Sequence, residues 1–278
     1  MKRGIVAFLL TVVTAAVLTG CGGGSGQQSL SGNIQVVGST SMEPLCSLVS
    51  EAYMEKEPGV TVSNEYVGST AGVEALLSGT ANIGTSSRNL TQKEKDQGAV
   101  ENVIAKDGIA IIVNPKVTGV NALSSDQVKK IFTGEITNWK DVGGPDMPII
   151  VIGQEAGSGT RAPFESILGL KGSAKYANEL SGSGPVLARI ADTDGAIGYC
   201  SLAMVNDTVT KITLDGVAPT KEDIQNGSYK LTKDMVMATK GAIDAQSPEV
   251  KSFFDFIYSP DGQQLIEKVH LIPMPKKA

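Results

Sequence analysis

The sequence holds a single histidine, His270, close to its C-terminal end. Activating a serine or cysteine nucleophile in the usual way needs an imidazole beside it, and no candidate loop carries one. Cysteine is scarce, with three in 278 residues, and cysteine and histidine do not cluster at metal-ligand spacing, which argues against a zinc site. There is no G-x-S-x-G elbow and no P-loop. An excess of positive charge is also missing. Lysine and arginine number 24 against 29 acidic residues, a net charge of −5. Both signs are spread along the chain without a basic stripe, so nucleic acid is excluded as a partner. What remains open on the enzyme side is a carboxylate pair, such as Glu43 with Glu155, doing acid–base work.

One long apolar run is present, and it sits at the N-terminus. Lys2 and Arg3 precede residues 4–18, which are followed by Leu18-Thr19-Gly20-Cys21. A basic start, a short apolar core and a small-residue cleavage site read as a secretory signal. The run is too short for a good membrane span. Leu-Thr-Gly-Cys resembles a bacterial lipobox, which implies cleavage before Cys21 and lipidation of its thiol; an ordinary signal peptide with a chance cysteine is the alternative. Residues 1–20 are therefore expected to be removed. The Gly/Ser-rich residues 21–32 are expected to form a lipidated, flexible tether. The rest is long enough for one large domain or two smaller ones, and 41% hydrophobic residues is normal for a soluble globule. Cys46 and Cys200 lie in apolar stretches and are expected as buried free thiols, with a disulfide in an oxidising compartment as the alternative.

Strand and helix patterns alternate along that remainder. Strands are expected at 34–37, 60–67, 109–113, 149–152, 196–199 and 235–238. Helices are expected at 44–53, 72–77, 126–132, 162–168, 250–258 and 262–269. Alternation with continuous apolar strands predicts an α/β fold whose sheets are covered on both faces. The strand at 109–113 runs into Asn114-Pro115, and the strand at 236–238 ends near Lys240-Gly241. Both read as crossings between two lobes. The expected division is 33–113 with 238–278 as lobe I and 114–237 as lobe II, with a cleft between them.

A short pattern recurs where strands give way to helices. It is Gly38-Ser39-Thr40-Ser41-Met42, then Gly68-Ser69-Thr70-Ala71-Gly72, then Gly157-Ser158-Gly159-Thr160-Arg161. Glycine lets backbone approach a ligand. Serine and threonine place hydroxyls beside the unpaired N–H groups of a helix's first turn, and the helix dipole favours an anion there. The bland alternative is that all three are ordinary N-caps. A fourth segment, Thr85-Ser86-Ser87-Arg88, adds hydroxyls and a cation. Arg88 and Arg161 carry planar forks suited to oxyanions, or else are solvated surface residues. An acidic chain that binds an anion must do so locally, through dipoles and hydroxyls of this kind.

Taken together, these residues resemble the phosphate-binding proteins of bacterial ABC importers. The likeness rests on Gly38-Ser39-Thr40-Ser41-Met42-Glu43-Pro44-Leu45, Ile83-Gly84-Thr85-Ser86-Ser87-Arg88, Ile136-Thr137-Asn138-Trp139, Glu155-Ala156-Gly157-Ser158-Gly159-Thr160-Arg161, Asp194-Gly195-Ala196-Ile197-Gly198-Tyr199 and Ser259-Pro260-Asp261-Gly262-Gln263. It spans nearly the whole mature chain. It implies a two-lobed periplasmic-binding-protein-like fold of type II, with two crossover hinge strands. It implies no enzyme activity, cofactor or metal, a monomer, and the permease subunits of an ABC transporter as partners. Membrane contact would be through the lipid anchor alone. Phosphate contacts would come from Thr40, Ser41 and Met42, the last through its backbone, and from Ser69, Thr70, Ser87, Ser158, Gly159 and Thr160. Two positions depart from the pattern: some members carry Asp where Ser87 stands and Arg where Gln154 stands. Arg161, or Arg88, is then expected to supply the charge, and Glu155 or the Ser87 hydroxyl to accept the proton of hydrogen phosphate. Sulfate, molybdate and tungstate remain the rival ligands. A secreted phosphate-ester enzyme, or a surface sensor without a transporter, remains the rival function.

Overall fold

The computed structural model describes residues 30–276. The expected signal peptide and Cys21 lie outside the described residues, as does most of the expected tether; Gly32, its last residue, already belongs to the first strand. That strand, β1 (Gly32–Gly38), buries Ile34, Val36 and Val37 and pairs in parallel with β2 (Val60–Tyr66). Between them α1 (Glu43–Lys56) opens with a proline in its first turn, where the missing N–H costs nothing. Its Leu45, Cys46, Val49 and Tyr53 turn inward at helical spacing. α2 (Ser69–Ser78) leads to β3 (Ile83–Ser86), which pairs on the other side of β1. α2 lies so close to β1 that a Cβ on Gly72 would meet the Gly38 Cα at 2.4 Å. Only glycine allows that approach.

α3 (Gln92–Asp96) and β4 (Ala99–Val100) lead into β5 (Val103–Val113). A second half follows, built from β6 (Ala122–Leu123), α4 (Ser125–Phe132), β7 (Ile150–Gln154), α5 (Arg161–Ile167), β8 (Asn178–Leu180), α6 (Ser183–Asp192), β9 (Ala196–Ser201), β10 (Thr210–Leu214) and α7 (Lys221–Gln225). The chain returns through β11 (Thr232–Lys240). It finishes with α8 (Pro248–Tyr258), α9 (Pro260–Lys268) and β12 (Ile272–Pro273).

The strands run in the order β2-β1-β3-β11-β5-β9-β7-β8. Parallel pairs at both ends flank an antiparallel centre. β5 changes partners at its middle: Gly108 pairs with Thr232 of β11, while Ile109 pairs with Ser201 of β9. Two crossing strands are thus present where the sequence suggested them, but each starts earlier than expected. Lys106-Asp107-Gly108 and Thr232-Lys233-Asp234 carry the charged and turn-type residues that read as loop, and both stretches are ladder residues here. α6 also escaped the sequence reading, because Gly182-Ser183-Gly184-Pro185 reads locally as a turn, although its proline falls in the first turn of the helix, where it is tolerated.

Each half has its own apolar core. Tyr53, Phe253 and Phe254 fill one, and Phe132, Trp139, Phe164 and Tyr199 the other. The Trp139 indole N–H donates to the Gly195 carbonyl at 2.8 Å. Among the described residues no helix is long and apolar enough to cross a membrane. Cys46 and Cys200 are both free and buried, and burial pushes each thiol up to about 12. The thiolate is the reactive species. A protein with Cys21 replaced by serine should therefore show no fast reaction with an aromatic disulfide reagent near pH 8. Both thiols should react once the chain is unfolded in urea. A thiol reacting rapidly in the folded protein would contradict this burial.

Candidate functional site

Four strand-to-helix junctions meet where the two halves face each other. The first follows β1, where a single 3-10 turn, Thr40–Met42, carries Ser41. The Ser41 Oγ lies 3.0 Å from Thr160 Oγ1 and 3.2 Å from Ser183 Oγ, so it touches two loops of the opposite half. The second follows β2. Here Gly68, with φ of 98°, brings in Ser69 as the first residue of α2. The Ser69 Oγ accepts the Ser87 N–H at 3.0 Å and lies 3.5 Å from Ser87 Oγ, which follows β3. The third follows β7. Ser158 Oγ donates to Gln154 Oε1 at 2.6 Å and accepts from the Thr160 and Arg161 N–H groups at 3.1 and 3.2 Å. The fourth is the start of α6, where Ser183 is buried.

Ser41, Ser69 and Ser87 from one half thus converge on Ser158, Gly159, Thr160 and Ser183 from the other. Backbone joins the halves as well, the Thr70 N–H donating to the Gly157 carbonyl at 3.3 Å. Gly159 lies against the opposite half so closely that a Cβ there would meet Ser69 Oγ at 2.1 Å and Ser87 Oγ at 2.6 Å.

The N-cap alternative can be tested in this geometry. Thr91, Ser124, Thr220 and Ser259 cap α3, α4, α7 and α9 by accepting a first-turn N–H. The helices that face the cluster, α1, α2 and α6, have no side-chain cap at all. Their hydroxyls make other contacts instead: Ser41 meets Thr160 and Ser183 across the gap, and Ser69 meets Ser87 of its own half. Ser158 is the exception, since its Oγ holds the N–H groups that open α5.

The two expected cations lie differently from the expectation. Arg161 donates from Nε to Glu165 at 2.7 Å and from Nη1 to Glu179 at 2.9 Å, and it stacks over Tyr176 with its carbon 4.7 Å from the ring centroid. Burial works against its charge, but the hydrogen bonds it donates to Glu165 and Glu179 outweigh that and hold its pKa above the ordinary range. Arg88 makes a two-pronged contact with Glu94 at 2.7 and 2.9 Å. A planar fork matches a carboxylate as well as it matches any oxyanion, and Glu165 stands four residues along the same helix from Arg161, where such pairs form. The Met42 N–H, expected to face a ligand, donates to the Ser39 carbonyl, and its side chain fills the first core. Thr40 packs against Gly182 across the gap. The Thr70 Oγ1 lies 3.4 Å from Arg88. Glu155 is half-buried, and among the described residues its carboxylate forms an ion pair with neither arginine.

The cation bonded to the cluster is Lys233 of β11, which the sequence reading did not single out. Its Nζ donates to Thr160 Oγ1 at 2.8 Å and lies 3.3 Å from Asp107 Oδ2 of β5. Asp107 Oδ2 also accepts from Ser201 Oγ at 2.5 Å, and the Ser201 N–H donates to Ser183 Oγ at 3.2 Å. Gln154 Nε2 reaches the same Ser183 oxygen at 3.2 Å. Burial lowers the Lys233 pKa, and Asp107 pulls it back up. Outside the cluster, a cavity of about 650 Å³ is lined by Arg88, Lys106, Arg161, Lys171 and Lys233 among others. Ser183 had a legible signal, since Gly182-Ser183-Gly184 repeats the Gly/Ser pattern of the other loops. Lys233 and Asp107 had none.

Chemically, the site offers a cluster of hydroxyl and backbone groups from both halves, with the buried Lys233 ammonium bonded to it. That suits an anion bearing several oxygens. Residues 23–261 match the family model described as a PBP superfamily domain. The chain is 32% identical to the phosphate-binding protein PstS of Bacillus subtilis (strain 168), over 95% of this chain and 92% of that protein. Among solved structures it is similar to a putative phosphate ABC transporter substrate-binding protein with bound phosphate from Clostridium perfringens. That likeness has 38% identity and a TM-score of 0.83, and covers 87% of this chain and 100% of the other. An ABC-type phosphate transport receptor from Vibrio cholerae shows 33% identity and a TM-score of 0.72, over 87% and 100% of the two chains.

The approach of Gly159 generates a prediction. Gly159→Ala pushes a methyl group into Ser69 and Ser87, so the two halves should no longer meet. Anion affinity, read by calorimetry, should fall at least about tenfold, which is about 1.4 kcal/mol. The midpoint of thermal unfolding should change little, because both cores are untouched. Affinity equal to wild type would show that the halves need not meet at this residue.

Proposed function

The chain belongs to the PBP superfamily and, within it, to the phosphate-binding proteins, and on that premise we propose that it captures inorganic phosphate between its two halves and delivers it to an ABC importer. The observation that carries this reading is the meeting across the gap of Ser41 with Thr160 and Ser183, at 3.0 and 3.2 Å, and of Gly159 with Ser69 and Ser87. The hydroxyls at the uncapped starts of α2 and α6 belong to this cluster, and helix N-termini favour negative charge. Binding without turnover fits a cluster that has no imidazole. The halves are the two lobes of the binding protein. On the partner exchange of β5 we place their division at residues 30–108 with 232–276 for one and 109–231 for the other. The protein works outside the cytoplasm as a monomer, is tethered through lipid on Cys21, and docks on the permease subunits of its transporter.

Two experiments test this reading. Calorimetric titration should show phosphate bound in preference to sulfate, molybdate and tungstate. Hydrogen bonds to charged groups contribute roughly 1.5–3 kcal/mol each, so Ser41→Ala and Ser158→Ala should each weaken phosphate binding by about one to two decades. Glu155, at the mouth of the third loop, is proposed as the acceptor of the hydrogen phosphate proton, which sulfate lacks. Glu155→Gln should then narrow the gap between phosphate and sulfate, and an unchanged ratio would transfer that role to the Ser87 hydroxyl. Tighter binding of molybdate or sulfate by the wild type would replace phosphate as the ligand.

The tether is tested by fractionation. Cys21→Ala should move the protein from the membrane to the soluble fraction, and a variant that stays membrane-bound at the wild-type level would argue against lipidation.

A further inference from the structure

We propose that Lys233 supplies the positive charge of the phosphate site and that Asp107 is the residue that positions it there. This rests on the phosphate reading above and adds to it the group that answers the charge of the ligand. The hydroxyls and backbone groups of the cluster are neutral. The two arginines nearest to it are already neutralised by Glu94, Glu165 and Glu179. The ammonium of Lys233 donates directly to a cluster hydroxyl, Thr160 Oγ1, at 2.8 Å. From Thr160 the contact continues to Ser41 at 3.0 Å, on the opposite half. An ammonium has three donors. Thr160 and Asp107 take two, leaving one for a ligand oxygen.

Stability alone is a poor reason for this pair. The Lys233 and Asp107 side chains are 0% and 1% exposed, and burying two charges often stabilises a fold less than apolar residues of the same size would. The carboxylate is also not fully used. Asp107 Oδ2 accepts from both Lys233 and Ser201, while Oδ1 is buried without a partner among the described residues. The pair sits where β5 and β11 cross between the halves, Asp107 opposite Lys233 in register. It is therefore held by two strands and not by a loop, which fixes the ammonium behind Thr160.

The charges around it are few enough to name. Asp107 and the Cys200 thiol face Lys233 most closely, and the thiol is neutral because burial pushes it up to about 12. On the cavity side stand the cations Arg88, Lys106, Arg161 and Lys171 and the acids Glu165 and Asp234. Behind Asp107, a smaller cavity is lined by Lys211, Lys221 and His270. Desolvation lowers the Lys233 pKa from its ordinary value, and Asp107 opposes this. The protonated lysine is the form that holds a dianion. Affinity is therefore complete below the Lys233 pKa and declines as pH rises through it. That decline begins at a lower pH than for an exposed lysine, whose pKa is about 10.4.

The test is calorimetric titration of the full mature chain with inorganic phosphate between about pH 8 and about pH 9, a range in which the ligand is mainly a dianion and an exposed lysine stays charged. Lys233→Met should weaken binding roughly 30- to 100-fold at the lower pH. Lys233→Arg should restore it to within about tenfold of wild type and abolish the alkaline decline, since arginine stays charged. Asp107→Asn should make the decline begin at lower pH. Lys233→Met leaves a buried carboxylate unpaired and is prone to misfold, so the Asp107→Asn/Lys233→Met double variant, checked by thermal unfolding, carries the decisive measurement. If that folded double variant binds within about threefold of wild type, Lys233 is a structural residue and this inference falls alone. A wild type that binds no phosphate overturns this inference together with the phosphate reading.

Discussion

The constraint on which the rest depends is the exchange of partners inside β5. One continuous strand is hydrogen-bonded to β11 up to Gly108 and to β9 from Ile109 onward. β11 runs antiparallel beside its first part and makes the second crossing. Because backbone N–H and C=O groups must be paired when buried, this double ladder cannot be dissolved without exposing unpaired groups at the centre of the molecule. It therefore fixes which ends of the two outer sheets look at each other. The carboxyl ends of β1, β2 and β3 are turned toward the loop after β7 and the start of α6. Ligands in open α/β sheets gather at such strand ends, and here two sets of them share one gap.

Within that gap the molecule separates two tasks that charge could have performed together. Its arginines stiffen the walls: Arg161 ties the start of α5 to Glu165, Glu179 and the Tyr176 ring, and Arg88 ties the loop after β3 to Glu94. The inner surface is left to hydroxyls, which can donate or accept and so match an oxygen-rich ligand whatever its proton count. An acidic protein with a net charge of −5 then need not attract its anion by overall field. The potential at the site is set by helix ends and one ammonium, at short range, where solvent screening is weak. Close approach matters as much as charge. Gly159 brings backbone within van der Waals reach of Ser69 and Ser87, and a side chain at that position would hold the halves apart.

Much of this was legible in the residues. Alternating apolar strands and amphipathic helices set the α/β class, because burial of one face has a period that can be read directly. The helix expected at 44–53 appears as α1, and the strand expected at 60–67 as β2. The Gly-Ser-Thr segments after β1, β2 and β7 marked four of the hydroxyls that meet, since the glycine and hydroxyl requirements of a helix start are local. Local chemistry could not say whether those hydroxyls cap their own helices. That was decided by the contacts across the gap and by the missing caps of α1, α2 and α6.

The charged groups went the other way. Arg88 and Arg161 stood in the right loops, but nearby carboxylates claim their forks, and Glu179 is eighteen residues from Arg161 in the chain. Asp107 and Lys233 lay in stretches whose charge and turn residues spoke against strand. They are strand residues because each charge is neutralised by the other across the ladder, a pairing 126 residues apart in sequence. Sequence alone determined the local conformations, the apolar faces and the hydroxyl-bearing loops, because propensity and periodicity act over a few residues. Tertiary structure alone decided which cation reaches the site, because the cost of burying a charge depends on what the fold places beside it.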